Sequence, residues 1–165
     1  MKDAAKLKEV QDTVWNDPRW KATTAENGVE TTHCNQGSLA VANGMGCHEF
    51  DPPANGEPYT ADQLYSFFQK DTSGFVEKMM EDVQALVNQG SLIFASLPSG
   101  ILQESHGHIV SLTPGDMVWS DHLGKDVPVC LNISTKELSS RSIGLNWAFP
   151  MSRATPRFFA WKESL

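Results

Sequence analysis

The chain lacks the features that mark nucleic-acid-binding and membrane-spanning proteins. Lysine and arginine number 13 against 20 acidic residues, so the formal net charge is −7, and the basic residues form no cluster. An acidic chain without a basic patch is poorly suited to a phosphate backbone, so no nucleic-acid partner is expected. The sequence also contains no apolar run of about 18 residues, so no transmembrane segment is expected.

The chain is also poor in cysteine and shows no leader-like segment. Cysteine occurs three times, and an odd count argues against a complete disulfide framework, so at least one thiol is expected to be free. The segment Met1–Lys8 has no apolar stretch of the kind that a secretory signal peptide needs, so no signal peptide is expected.

The order of hydrophobic patterns predicts the fold class. At 165 residues, without internal repeats or low-complexity segments, the chain is expected to form a single domain over residues 1–165. Along the chain, segments with apolar residues at helical spacing come first, and short apolar runs separated by turn residues follow. This order predicts an α+β fold with N-terminal helices packed on one face of an antiparallel sheet. Helices are predicted over 3–15, 34–44, 60–70 and 73–88, and strands over 91–97, 108–112, 127–133, 145–149 and 158–161.

Two details of this prediction can be checked directly against a structure. The helix over 73–88 would bury a stripe that contains Val76, Met79, Val83 and Val87. Residues 21–30 and 51–58 are polar or rich in proline and are predicted to be loops.

Cys34 stands at the predicted start of the second helix and is a candidate nucleophile. A helix N-terminus is expected to lower the pKa of a thiol, and the backbone N–H of Cys34 would point toward the oxyanion of an attacked carbonyl. The alternative is that Cys34 is simply a small buried apolar side chain, which is common for free cysteine.

A histidine at the head of an apolar strand is the candidate base. His108 follows Gly107 and opens the predicted strand 108–112, and a Cys followed by a distant His supplies a thiol nucleophile and its base. Gly107 would allow another backbone or a substrate to approach closely. His106, two residues earlier, is the rival base.

A third polar group should orient the imidazole. Asn132 is the one amide in the apolar strand predicted over 127–133, and a buried amide needs a hydrogen-bond partner such as a ring N–H. The alternative is that Asn132 bonds only to backbone at the strand end. Asp121 and His122, in the loop between the strands, are the other candidates.

Three segments in this order resemble a known family. They are Thr32–Asn35 around the cysteine, Asn88–Ala95, and Gly107–Gly115 with its Gly-His-Ile-Val start. Together with Asn132 on the next strand, they are similar to the NlpC/P60 and CHAP group of papain-like cysteine hydrolases, and most of all to cell-wall amidase domains of phage and bacterial origin. The resemblance spans most of the chain.

The resemblance implies a papain-like, NlpC/P60-type fold and an amide-cleaving activity. Cys34 would be the nucleophile, His108 the base and Asn132 the orienting residue, with no metal or organic cofactor. The substrate would be the peptidoglycan stem peptide, cut within the peptide or next to the sugar, so the protein would act on the cell wall after secretion or in the periplasm. The chain departs from the family around the nucleophile, where His33-Cys34-Asn35 replaces the common Asp-Cys-Ser, and the third position is often His or Glu elsewhere.

The biological role stays open between three cases. The protein could be a phage lysin, a housekeeping wall enzyme, or a secreted antibacterial toxin. In the last case an inhibitor or immunity protein is an expected partner.

Two other functions compete with the hydrolase. His33, Cys34, Cys47 and His48 form an H-C…C-H pattern that could bind zinc, although the chain contains no CxxC pair and adjacent residues rarely both bind one ion. The chain could instead be a non-catalytic module that binds the cell wall or another protein through its tryptophans. These are Trp15, Trp20, Trp119, Trp147 and Trp161.

Overall fold

The computed structural model describes residues 2–24, 26, 28, 30–54 and 56–165. The helices are α1 (Ala4–Asn16), α2 (Cys34–Gly44), α3 (Ala61–Phe68), α4 (Met80–Asn88), α5 (Ser99–Leu102) and α6 (Leu145–Ala148). The strands are β1 (Thr23–Thr24), β2 (Glu30–Thr31), β3 (Phe75–Lys78), β4 (Ile93–Leu97), β5 (His108–Leu112), β6 (Val118–Ser120), β7 (Lys125–Val127), β8 (Val129–Asn132), β9 (Ser140–Gly144) and β10 (Arg157–Trp161).

A six-stranded sheet forms the centre of the fold. Its order is β3-β10-β4-β5-β8-β9, and each neighbouring pair is antiparallel. The α2 helix packs on β5, α3 on β4 and β5, and α4 on β10, while α1 packs on α2. The mixed α+β class with an antiparallel sheet, predicted from the sequence, is therefore confirmed.

Local signals in the sequence account for three of the helix ends. Asp3 caps α1 by accepting from the backbone N–H of Lys6, and Thr60 and Gln63 form a reciprocal capping box at the start of α3. Gly90 follows α4 with φ of +96°, a left-handed conformation that glycine adopts without steric cost. The helix predicted over 34–44 is confirmed with the same bounds.

The helix predicted over 73–88 is wrong in its first part. Residues 75–78 form β3, which pairs with β10 at the edge of the sheet, and the helix begins only at Met80. A turn at Gly74, with φ of +75°, directs the chain into this pairing. Val83 and Val87 are fully buried as predicted, but Met79 is 64% exposed and takes no part in a buried stripe.

Proline changes two of the predicted strands. The run 127–133 is split at Pro128, so that β7 belongs to a separate hairpin with β6 and β8 belongs to the main sheet. The β8–β9 ladder ends where Leu145 donates its N–H to Pro128 O, because Pro128 has no N–H with which to continue. Residues 145–148 then form α6, so the strand predicted over 145–149 is wrong.

The polar segments agree in part with the loops predicted there. Within 21–30 the structure forms the two-residue strand β1 and the start of β2, which pair with each other, while positions 25, 27 and 29 lie outside the described residues. The described residues of 51–58 contain neither helix nor strand, and position 55 lies outside them.

Candidate active site

Cys34 is the first residue of α2 and lies against the head of β5. Its side chain is 4% exposed, and it lines a narrow gap between α2 and the sheet together with Ile109, the residue after His108. The close approach of α2 to the Ile133 side chain depends on Gly37, since a Cβ at this position would overlap Ile133 Cδ1. The first turn of α2 thus places the thiol next to the strand that begins with His108.

His108 and Asn132 meet across neighbouring strands. His108 opens β5 and Asn132 ends β8, and His108 Nε2 lies 2.8 Å from Asn132 Oδ1. Asn132 is 1% exposed, and its Nδ2 donates to Leu138 O at 2.7 Å. The contact that the sequence predicted between this amide and the imidazole is confirmed.

The hydrogen bonds of Asn132 determine the imidazole tautomer. A carbonyl oxygen only accepts, so the Leu138 carbonyl requires the Asn132 NH₂ on its side and directs Oδ1 toward the ring. His108 Nε2 therefore carries the ring proton and donates a hydrogen bond to Asn132 Oδ1. In the neutral ring, Nδ1 is left as the unprotonated nitrogen that can act as a base. The Phe149 ring packs against the imidazole at 5.3 Å between ring centroids.

The protonation states of the pair differ from the sequence-based expectation. Burial raises the pKa of the Cys34 thiol, and the backbone N–H groups of Ile109, Asn35 and Cys34 itself offset this only in part. Burial also lowers the pKa of His108 to about 4, opposed by the hydrogen bond to Asn132 and assisted by the charge of His106. At neutral pH the free protein thus holds a neutral thiol and a neutral imidazole. The expectation of a lowered Cys34 pKa is wrong, because burial outweighs the backbone N–H groups near the helix start.

The rival base has a different environment. His106 is exposed and its Nδ1 lies 3.0 Å from Ser105 Oγ, its immediate neighbour. Asp121 accepts a hydrogen bond from Trp119 Nε1 at 2.9 Å within the β6–β7 hairpin, which gives it a local partner other than the imidazole. His122 follows it in the hairpin turn and is exposed. Of the sequence-predicted orienting groups, the structure joins Asn132 to His108.

An open cleft of about 330 Å³ borders Cys34. Two threonines beside Cys34, the N-terminal turn of α3 and the residues before His108 form its walls. Gly107 is needed there, because a Cβ at this position would lie 2.7 Å from Asp62 Oδ1 and 2.9 Å from Leu97 O. The lining residues are Glu30, Thr31, Thr32, Cys34, Asn35, Thr60, Ala61, His106 and Gly107.

Sequence reasoning missed the wall of this cleft that α3 supplies. The Asn35 Nδ2 donates to Tyr59 O at 2.7 Å, and Asp62 Oδ1 accepts from the backbone N–H of Ser99 at 2.6 Å. These bonds connect the start of α3 to α2, which begins with Cys34, and to the segment after β4. The capping box at Thr60 signals a helix start, but only the tertiary structure brings it to Cys34.

The remaining cysteines and the two histidines of the proposed zinc pattern have other environments. All three cysteines are free and buried. Cys130 lies inside the sheet, and burial raises the pKa of Cys47 to about 12. His33 Nδ1 bonds to Gln36 Oε1, and His48 Nδ1 to Asp51 Oδ2. Over the described part of the chain, no three His, Cys, Asp or Glu side chains come together in a group that could hold a metal ion.

The tryptophans are dispersed between core and surface. Trp161 is buried, whereas Trp119 and Trp147 are 61% and 66% exposed. Trp15 and Trp20 are half-buried, with Lys21 and Arg19 placed over their rings. In the described ranges, no helix has the length and apolar character needed to cross a membrane.

Comparison of the sequence with the profiles of known protein families and with curated proteins finds no match.

Proposed function

We propose that this protein is a papain-like cysteine hydrolase that cleaves amide bonds in peptidoglycan. The observation that carries the proposal is the hydrogen bond from His108 Nε2 to Asn132 Oδ1, at the head of the strand against which Cys34 packs. A nucleophile, a base and a group that orients the base are the three parts of a catalytic triad. Cys34 has the first role, His108 the second and Asn132 the third.

The architecture around these residues supports the papain-like assignment. The nucleophile begins a helix that packs on an antiparallel sheet, and the base and its orienting amide lie on two adjacent strands of that sheet. The cleft beside the thiol is open, and its lining combines apolar surface with polar groups, which suits an extended peptide substrate.

The neutral resting state defines the first chemical step. As Cys34 Sγ attacks the amide carbonyl carbon, His108 Nδ1 takes the thiol proton, so the thiolate forms only with the new C–S bond. The carbonyl oxygen becomes an oxyanion, which the backbone N–H of Cys34 at the helix start can stabilise. The imidazolium is held in place by its Nε2 hydrogen bond to Asn132.

The second half of the reaction returns the enzyme to its resting state. The C–N bond breaks as the imidazolium donates its Nδ1 proton to the leaving amine, which leaves an acyl thioester on Cys34. Water then attacks the thioester carbonyl while His108 Nδ1 accepts a water proton. The C–S bond breaks, the thiolate recovers that proton, and the carboxylic acid product leaves.

Peptidoglycan is the substrate that the sequence resemblance favours. The segments Thr32–Asn35, Asn88–Ala95 and Gly107–Gly115 resemble cell-wall amidases. The lining of the cleft that borders Cys34 includes three residues of the first segment and Gly107 of the third.

The test is to incubate purified peptidoglycan with the protein and to identify the released fragments by mass spectrometry. We expect Cys34→Ala to lower the rate by ~10³-fold or more with the fold retained, as for loss of a nucleophile. Cys130→Ala is the matched control, because this thiol is buried in the sheet and does not border the cleft. A Cys34→Ala protein that releases fragments at a near-normal rate would rule out the proposal.

A non-catalytic wall-binding module is the second candidate. The exposure of Trp119 and Trp147 favours it, since exposed aromatic rings commonly contact ligands. Under this alternative, wild-type and Cys34→Ala proteins would both sediment with insoluble peptidoglycan and neither would release fragments.

A further inference from the structure

A second groove adjoins the cleft that holds Cys34. The cleft is bordered by Thr60 and Ala61 at the start of α3, and the groove by the residues on either side of them. The groove encloses about 370 Å³. Its lining residues are Tyr59, Asp62, Gln63, Ser66, Phe67 and Lys70.

One part of the groove is an aromatic pair. The rings of Tyr59 and Phe67 are stacked, with centroids 6.1 Å apart and planes inclined by 20°. Both side chains are half-buried, so each still exposes part of its ring to solvent. Tyr59 is also coupled to the helix of the nucleophile, because its carbonyl oxygen accepts the hydrogen bond from Asn35.

The rest of the groove carries hydrogen-bonding groups with unused capacity. Gln63 Oε1 accepts from the backbone N–H of Thr60, so the carbonyl end of this amide is already engaged. Four polar groups of the groove form no hydrogen bond to another described residue. They are Tyr59 Oη, Gln63 Nε2, Ser66 Oγ and Lys70 Nζ. An aromatic surface bordered by such groups matches a ligand with an apolar face and a rim of hydroxyl and amide groups.

We propose that this groove binds an amino-sugar ring of the glycan to which the peptide substrate is attached. A pyranose ring has C–H groups that can stack on the exposed aromatic surface, while its hydroxyl and acetamido groups can bond to the polar side chains. The inference rests on the proposed function and deepens it. Because the groove and the cleft share one turn of α3, a sugar in the groove would place the first amide bonds of the peptide near Cys34.

The test measures binding of the N-acetylglucosamine trimer to the Cys34→Ala protein by NMR titration. We expect saturable binding that Tyr59→Ala weakens by about 10-fold, the loss of an aromatic stacking surface. Tyr65→Ala is the matched control, because Tyr65 lies on α3, the helix that Tyr59 precedes, but packs against Phe159 rather than lining the groove. Binding that Tyr59→Ala and Tyr65→Ala weaken equally, or no binding at all, would overturn the inference.

A second variant keeps the test decisive if Tyr59→Ala does not fold. Ser66 is exposed on α3, so Ser66→Trp fills the groove without removing a buried contact, and it should reduce trimer binding to a similar extent. Unchanged binding in Ser66→Trp would also overturn the inference.

The two proposals fail in distinguishable ways. Trimer binding that depends on Tyr59, without release of peptidoglycan fragments by the wild-type protein, would leave the sugar site standing and remove the hydrolase. Cys34-dependent release of fragments without such trimer binding would support the hydrolase and remove the sugar site.

Discussion

The half-buried, neutral imidazole of His108 should make the stability of the fold depend on pH. Its pKa is lowered to about 4 in the folded protein, chiefly by burial, whereas an unfolded chain gives histidine its ordinary value of about 6.5. The unfolded state therefore binds this proton more readily than the folded state. Stability from this group is complete above pH 6.5 and is lost progressively as the pH falls toward 4.

The magnitude follows from the size of the pKa shift. At pH 5 the unfolded chain is almost fully protonated at this position and the folded protein almost fully neutral, so the loss relative to pH 7.5 is about 2 kcal/mol. The full shift corresponds to about 3 kcal/mol at pH 4 and below. Replacing His108 with glutamine removes the titrating group and should therefore remove this pH dependence.

The assay is urea unfolding followed by tryptophan fluorescence at pH 7.5, 6 and 5 for the wild-type and His108→Gln proteins. The other titrating groups act in both proteins, so they largely cancel in the difference between the two unfolding free energies. Loss of the hydrogen bond to Asn132 contributes a term that does not vary with pH. A difference that stays constant within ~0.5 kcal/mol from pH 7.5 to 5 would refute the claim that His108 is held neutral by burial.

Three further predictions concern catalysis. His108→Ala should abolish fragment release while His106→Ala retains most of it, because only His108 is bonded to Asn132; the reverse pattern would make His106 the base. Asn132→Ala should slow turnover by roughly 10 to 10³-fold and leave alkylation of Cys34 by iodoacetamide largely intact, since its role is to orient the ring; an unchanged rate would remove Asn132 from the triad. EDTA should leave activity intact, because the proposed steps need only a thiol and an imidazole; loss of activity that zinc restores would point to a metal mechanism.

The elements that carry the candidate site could be predicted from local sequence. The helix Cys34–Gly44 and the strand His108–Leu112 have the predicted bounds, because small-residue helical spacing ended by Gly44 and a short apolar run ended by Pro114 are encoded within a few residues. The pairing of Asn132 with His108 was also predictable. A buried amide in an apolar strand needs a partner, and few side chains can supply one.

Long-range contacts account for what the sequence predicted wrongly. Residues 75–78 have helical spacing but pair with β10, about 80 residues later in the chain, and edge pairing outweighs the local preference. Residues 145–148 look like a strand, yet Pro128 on the neighbouring strand cannot continue the ladder.

The sequence by itself determined which residues could do chemistry and on which elements they lie. Only the tertiary structure decided how they are charged and what borders them. Position at a helix start suggests a lowered thiol pKa, but packing of α2 on β5 buries Cys34, and desolvation outweighs the nearby backbone N–H groups. The wall that α3 adds to the cleft likewise depends on hydrogen bonds such as Asn35 to Tyr59, which join segments with no local relation. Burial and desolvation are sums over the whole fold, so no local window of sequence contains them.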